Sequence, residues 1–390
     1  MNALNKKRII ELDMVKGFAI ISVFFRHMNS ITGVSSCGGL YPALFRQNSE
    51  ALMAAFILIS GYVFSGKGTL GEQYKKNVLR LLKNYLIYTA VIIAAYFAVY
   101  VIPGNMSVTR FLQNALTDLA AAGPWNLFAE NERNILYYGV VPYWYITELI
   151  TGMCLFIPLN RYTSGKPPYF RYCCIALLLL TGMAFYTLDL QGMIAHPFSG
   201  HFTYFFVLPN IFVFCGILML GNALRAIRFF EIDGQNKGFI ATAGAISLAV
   251  AVFGIVTCDN SYALQLGKWG PFKVWSIPIT AFEGVCVTYL LVLVFRFLKR
   301  LQPVEKVMVF LGQNTLEILM THFLVADLLT LAFGRWHDYL EYGFPRADYS
   351  ALYAFLITVL TAVIILSFIF IKRKITLARS RQSKVLPDKT

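Results

Sequence analysis

The first apolar segment of the chain, residues 12–28, carries ionisable side chains inside a stretch that is hydrophobic enough to enter a membrane. An ionisable group at bilayer depth costs about 3 kcal/mol, so such groups are rare there and mark functional sites. Lys16 and His27 are 11 residues apart. On an α-helix they fall within roughly 20° of one face and about 16 Å apart along the axis. A cation near one leaflet and an imidazole near the other indicate two ends of one reaction path.

His27 is a candidate general base, because an imidazole takes up and releases protons near neutral pH. A neighbouring carboxylate would orient the ring, and three glutamates lie in predicted spans: Glu148, Glu283 and Glu317. The alternative is a polar residue that bonds across a helix interface. Arg26 and the available acids favour the catalytic interpretation.

A second group of chemically useful residues follows the second apolar segment. Lys76, Arg80 and Lys83 have the spacing i, i+4 and i+7, which places them on one face of a helix at the membrane surface. Two interpretations stay open. The cations attract anionic lipid, or they bind phosphates through charge-assisted hydrogen bonds.

A late apolar segment, residues 307–331, contains Asn314, Glu317 and His322. Glu317 and His322 are five residues apart, about 140° around a helix, so they do not share a face. Asp327, further along the segment, is an equally good candidate for a helix-interface partner.

The composition indicates which kind of structural element holds these residues in position. The chain has 390 residues, of which 57% are hydrophobic and 14% charged, and a mean hydropathy of +0.61. It is too apolar for a soluble globule. We predict an all-α, polytopic membrane protein formed by residues 1–371, with a basic cytoplasmic tail at 372–390. About ten segments have the length of a transmembrane helix: 13–31, 50–66, 84–102, 140–158, 173–188, 203–221, 239–257, 275–298, 307–331 and 350–371.

The distribution of Lys and Arg predicts that both termini are cytoplasmic, since most basic residues then fall in cytoplasmic segments. The net charge of +14 is thus a topology signal and does not indicate nucleic-acid binding. No CxxC or His–Cys cluster suggests a metal site. Three exterior segments, 103–139, 189–202 and 334–348, place aromatic rings beside acids and amides, which suits sugar binding. The alternative is an interfacial aromatic belt.

Several motifs together resemble the acyltransferase-3 family of bacterial membrane acyltransferases, and most closely its branch similar to fucose 4-O-acetylases. The first motif is an Asp, a basic residue, a Gly and a His; the second is Ser-Gly-Tyr after a Phe; the third is a pair of cations four residues apart. Two more are VPYWYITELI at 141–150 and LGQNTLEILMTHF at 311–323. The matching positions of the first three are Asp13, Lys16, Gly17, His27, Met53, Phe56, Ser60, Gly61, Tyr62, Lys76 and Arg80.

This resemblance implies acyl transfer from cytoplasmic acyl-CoA, with acetyl-CoA expected first, to a hydroxyl of an extracytoplasmic glycan or lipid-linked saccharide. It implies a location in the bacterial inner membrane and no permanently bound cofactor. By the same analogy His27 is the catalytic residue, and the donor is held by Lys16, Lys76, Arg80 and Lys83. The family prefers Arg where this chain has Lys16 and Lys76. Further substrate contacts are expected at Asp13, Ser60, Tyr62, Trp144, Asn314, Glu317 and His322.

As a mechanism, His27 takes the proton of the acceptor hydroxyl, with Glu148 as its predicted partner. Arg26 stabilises an oxyanion or pairs with a glutamate, the second being slightly favoured. An acyl-histidine intermediate is an open alternative. Two other functional classes are a flippase or transporter of a lipid-linked glycan and a non-catalytic receptor on the same scaffold.

Overall fold

The computed structural model describes residues 8–32, 49–104, 106–121, 144–190, 207–257, 276–330, 332–333 and 351–385. Within these ranges all regular secondary structure is helical, which confirms the all-α prediction. The helices are α1 Ile10–Thr32, α2 Ser49–Val63, α3 Leu70–Val101, α4 Val108–Ala121, α5 Trp144–Thr163, α6 Pro168–Leu190, α7 Val207–Ala226, α8 Lys237–Thr257, α9 Ser276–Leu298, α10 Gln302–Gln313, α11 Thr315–Thr330 and α12 Ala351–Val385.

Five of the described helices, α3, α6, α8, α9 and α12, are long and apolar enough to cross a membrane. The bent pair α10–α11 raises the number to six if it forms one span. The predicted number of ten and the predicted orientation of the termini are therefore not confirmed. Two of the predicted spans coincide with shorter apolar helices, Ala51–Val63 and Ile211–Ala226.

The predicted straight span over 307–331 is divided into α10 and α11, which bend by 77° at the break between them. Asn314 occupies this break. Its side-chain amide donates to the carbonyl of Phe310, and its own carbonyl accepts the N–H of Ile318. A single asparagine therefore satisfies polar groups of both helix ends, which allows a break among apolar neighbours.

Helices α1 and α10 cross with their backbones in contact. A Cβ on Gly312 would lie 1.8 Å from the carbonyl oxygen of Asp13, and one on Gly17 would lie 2.2 Å from that of Met308. Only glycine fits at such a distance. The Gly17 of the first motif is thus a packing residue, and it fixes the charged end of α1 against α10.

A similar crossing joins α2 to α7. A Cβ on Gly61 would lie 2.0 Å from the carbonyl oxygen of Leu218, and one on Gly221 would lie 2.1 Å from that of Leu58. The close contact between α2 and α7 therefore requires the glycine of the Ser-Gly-Tyr motif.

The centre of the bundle is α1, which packs against α2, α9, α10, α11 and α12. Its apolar side chains Met14, Val15 and Met28 are fully buried. Helix α11 packs against both α1 and α12, so residues of α11 face residues of α1.

Two helices depart from their predicted extents. Helix α3 begins at Leu70, well before the predicted start at 84, and contains π-helical turns at Lys75–Leu79 and Phe97–Val101. Helix α12 continues to Val385, through the predicted boundary between span and tail at 371.

Candidate active site

His27 of α1 and His322 of α11 form a hydrogen-bonded pair. The Nδ1 atom of His27 is 2.6 Å from the Nε2 atom of His322. The ring centroids are 4.9 Å apart, and the planes differ by only 8°. A short distance between nitrogens in nearly parallel rings fits an edge-to-edge hydrogen bond and not face-to-face stacking.

The second nitrogen of His322 fixes the protonation of both rings. Nδ1 of His322 is 3.0 Å from the carbonyl oxygen of Ile318, which only accepts hydrogen bonds, so this nitrogen is the donor. In the neutral ring Nε2 is then the acceptor, and His27 donates to it from Nδ1. The basic nitrogen of neutral His27 is therefore Nε2. This assignment follows from the hydrogen-bond partners.

An aromatic side chain covers the pair. The ring centroid of Phe323 is 4.5 Å from that of His27 and 4.3 Å from that of His322. His322 is only 1% exposed, whereas His27 is partly exposed. His27 is consequently the more accessible ring of the two, and His322 is the ring that orients it.

On the Nδ1 side of His27 the structure places His322 and not the predicted partner, Glu148. Glu148 lies fully buried in α5, a helix that packs mainly on α7. The role of Glu148 as a partner of His27 stays a prediction. Arg26 is half-buried beside His27 on α1, and its proposed oxyanion or ion-pair role also stays a prediction.

The charged end of α1 is tied into the bundle by ion pairs. Asp13 is bonded by Arg8 and, at 2.8 Å, by Lys16. Glu11 pairs with Lys299, which follows α9. We call this end of the bundle the basic end. Lys16, predicted to line the donor path, is here a partly exposed ammonium group held by a carboxylate.

Two predicted substrate residues, Asn314 and Glu317, line a cavity of about 450 Å³ between α11 and α12. Glu317 forms a 3.1 Å ion pair with Lys372 of α12. Its partner lies on α12, whereas the partner of His322 lies on α1, in agreement with the predicted difference in helix face. Only Gln313 separates Asn314, which lines the cavity, from Gly312. Because Gly312 packs on Asp13, the cavity is at the basic end.

The cations predicted to bind the donor, Lys76, Arg80 and Lys83, are all exposed on α3. Lys76 lies within the π-helical turn Lys75–Leu79, so the regular i, i+4 register predicted for Lys76 and Arg80 is altered there. Their exposure suits either lipid or phosphate.

The model of the acyltransferase-3 family, described as an acyltransferase domain, matches residues 9–372, nearly the whole chain. This chain is an acyltransferase-3 protein. No curated protein and no solved structure matches it. Membership supports acyl transfer as the function and, with the apolar helices, a membrane protein.

The motifs of this acyltransferase-3 protein serve unequal purposes. Ser60 donates to the carbonyl of Phe56 in its own helix, 2.8 Å away, and Tyr62 is buried against Phe230. Trp144 begins α5, and its side chain falls outside the described residues. So do most residues of the segments predicted to be exterior, 103–139, 189–202 and 334–348. Among the described residues no group of three or more His, Cys, Asp or Glu is arranged to hold a metal.

Residue-by-residue reasoning missed two features of the acyltransferase-3 site. The sequence predicts a substrate contact for His322, and not its pairing with His27. The available signal was that only two of the five histidines, His27 and His322, lie in predicted spans. Lys372 and Arg373 were assigned to the tail, but both line the cavity at the basic end.

Proposed function

We propose that this acyltransferase-3 protein transfers an acyl group, acetyl in the first instance, from cytoplasmic acyl-CoA to a hydroxyl of an extracytoplasmic glycan. The observation that carries the proposal is the His27–His322 pair, in which hydrogen bonding directs the basic Nε2 of the more exposed ring away from its partner. A general base must present a lone pair to the proton it removes.

The reaction proceeds by direct transfer. Nε2 of His27 takes the proton of the acceptor hydroxyl as the oxygen attacks the thioester carbonyl. When the tetrahedral intermediate collapses, the carbon–sulfur bond breaks and the thiolate of CoA receives the proton from the imidazolium. His322 holds the ring in place throughout, and Phe323 keeps water from one side of both rings.

Other parts of the chain complete the proposal. The exposed cations Lys76, Arg80 and Lys83 bind phosphates of the donor at the cytoplasmic side, and Lys16 lies along the path to His27. The termini are cytoplasmic, about ten segments cross the bacterial inner membrane, and the acceptor meets the exterior segments. The branch similar to fucose 4-O-acetylases is the one to which we assign the chain.

The test is CoA release by the purified protein in lipid nanodiscs, with acetyl-CoA and a glycan acceptor. Since general-base catalysis contributes roughly 100- to 10,000-fold, His27→Ala should lower kcat by that factor. The control is Ser22→Ala on the same helix, whose hydroxyl donates to the carbonyl of Phe18. Full turnover by a folded His27→Ala protein would refute the assignment. Glycan movement without CoA release would indicate the transporter class.

A further inference from the structure

The cavity between α11 and α12 has a lining suited to an anion. Its walls are formed by Asn314, Glu317, Ile369, Lys372, Arg373 and Thr376. Two cations therefore face one carboxylate, and an amide and a hydroxyl lie beside them. This combination offers charge together with neutral hydrogen-bonding groups.

Arg373 is held in place by neutral groups. Its guanidinium donates to Oε1 of Gln313 at 2.9 Å and lies over the ring of Phe310, 4.9 Å from the centroid. Both contacts orient the planar group, and neither neutralises its charge. An oriented guanidinium with donors to spare is the group that binds phosphate best.

Lys372 completes the lining and connects it to α3. Its ammonium group bonds Glu317 at 3.1 Å and the hydroxyl of Tyr88 at 3.3 Å. Lys372 offsets the charge of Glu317, so the positive charge of Arg373 is left over for a ligand. Tyr88 belongs to the same helix as Lys76, Arg80 and Lys83.

Distances along the helices separate the two groups of cations. Arg80 precedes Tyr88 by eight residues, about 12 Å along α3, so Lys76 and Arg80 lie two or more helical turns from the cations of the cavity. Glu317 precedes His322 by five residues, about 7.5 Å along α11. Measured along the helices, the cavity thus lies between the exposed cations of α3 and the histidine pair.

We propose that this cavity binds the diphosphate of the acyl-CoA donor, with Arg373 and Lys372 as its ligands. The exposed cations of α3 then bind the separate 3′-phosphate on the ribose. The inference rests on the proposed function, because it assumes CoA as the donor. A phosphate of an anionic lipid headgroup has the same chemistry, and the experiment separates these two sources.

Binding of CoA and of 3′-dephospho-CoA is measured by calorimetry in nanodiscs of phosphatidylcholine. Arg373→Gln should weaken both ligands equally, by about 10-fold, the effect of one lost charge-assisted contact. Lys76→Gln with Arg80→Gln should weaken CoA but leave dephospho-CoA unchanged. The control is Lys374→Gln, an adjacent exposed cation that lies over Phe370 and not in the cavity.

Thermal unfolding without ligand checks that each variant is folded, and Arg373→Lys, which keeps the charge but not the fork, should lose less affinity than Arg373→Gln. Unchanged CoA affinity in Arg373→Gln would overturn the assignment of the cavity. The proposed function would be unaffected by that result as long as the wild-type protein bound CoA. If Arg373→Gln changed CoA binding only in nanodiscs with added anionic phosphatidylglycerol, the cavity would be assigned to the lipid phosphate. If the wild-type protein bound no CoA, both proposals would fail.

Discussion

At the scale of single residues, the proposed base of this acyltransferase-3 protein is oriented by a second imidazole. A carboxylate in that position would place a charge among apolar side chains, at a high cost in desolvation. A neutral imidazole accepts the same hydrogen bond without a charge. Its other nitrogen is occupied by the carbonyl of Ile318, so His322 presents a lone pair to His27 in one fixed direction.

This arrangement predicts that His322 acts through hydrogen-bond acceptance. His322→Leu should leave the Nδ1–H of His27 without its acceptor, which costs about 1–3 kcal/mol. If that cost falls on the transition state, kcat drops roughly 5- to 150-fold. His322→Gln should retain most of the activity, because its side-chain oxygen reaches the former position of Nε2 and accepts the same bond.

Steady-state kinetics with acetyl-CoA measures both variants. The KM for the donor should change little in each, since His322 is placed as an orienting group and not as a donor ligand. Equal losses in His322→Leu and His322→Gln would show that the ring matters only for packing.

The sequence made His27 predictable but not its partner. An ionisable residue inside an apolar segment is visible without a structure, and so is its spacing from Lys16. Which helix lies opposite depends on packing among helices distant in the chain, and His322 is 295 residues away. For the same reason the sequence shows Lys372 and Arg373 only as basic residues that indicate the membrane orientation.

At the scale of helices, close crossings place the reacting groups. Gly17 and Gly312 bring α1 and α10 into backbone contact, and the break at Asn314 then turns α11 so that it runs beside α1. The sequence does not show where such a bend lies, because apolar residues continue on both sides of Asn314. The amphipathic pattern of α4, Val108–Ala121, by contrast lies within one short segment of the chain and can be read from the sequence.

Gly312→Ala should therefore destabilise the protein and lower its activity. The added Cβ would lie 1.8 Å from a backbone oxygen, so the helices must separate. Overpacking of this kind typically costs about 1–3 kcal/mol. Thermal unfolding in detergent, followed by tryptophan fluorescence, measures the loss.

The matched control for this substitution is Gly71→Ala, also within a helix, where an added Cβ would have no neighbour within 4 Å. Alanine is a better helix former than glycine by about 1 kcal/mol, so this variant should be unchanged or more stable. Equal destabilisation by both substitutions would mean that the α1–α10 contact is not the cause.

At the scale of the whole molecule, the ion-paired charges of Asp13 and Lys16 are separated from the histidine pair along the axis of α1. Asp13 and Lys16 lie near one end of the helix, and His27 lies about 16 Å beyond Lys16 along the axis. Ion pairs to Arg8 and Lys299 fix this basic end, and the cavity with Lys372 adjoins it. A donor bound there would present its acyl group inward, towards the imidazole.

This polarity predicts that acyl transfer is sided. CoA is highly charged and does not cross a bilayer, so acetyl-CoA should support transfer only from the side of the basic end, which the positive-inside rule assigns to the cytoplasm. Inside-out membrane vesicles given radiolabelled acetyl-CoA should label the enclosed glycan, and right-side-out vesicles should not. Detergent should make the two preparations equal, because it opens both faces. Labelling at the same rate in both intact preparations, with sealing verified, would show that donor access does not depend on this end, and the orientation derived from Lys and Arg would have to be abandoned.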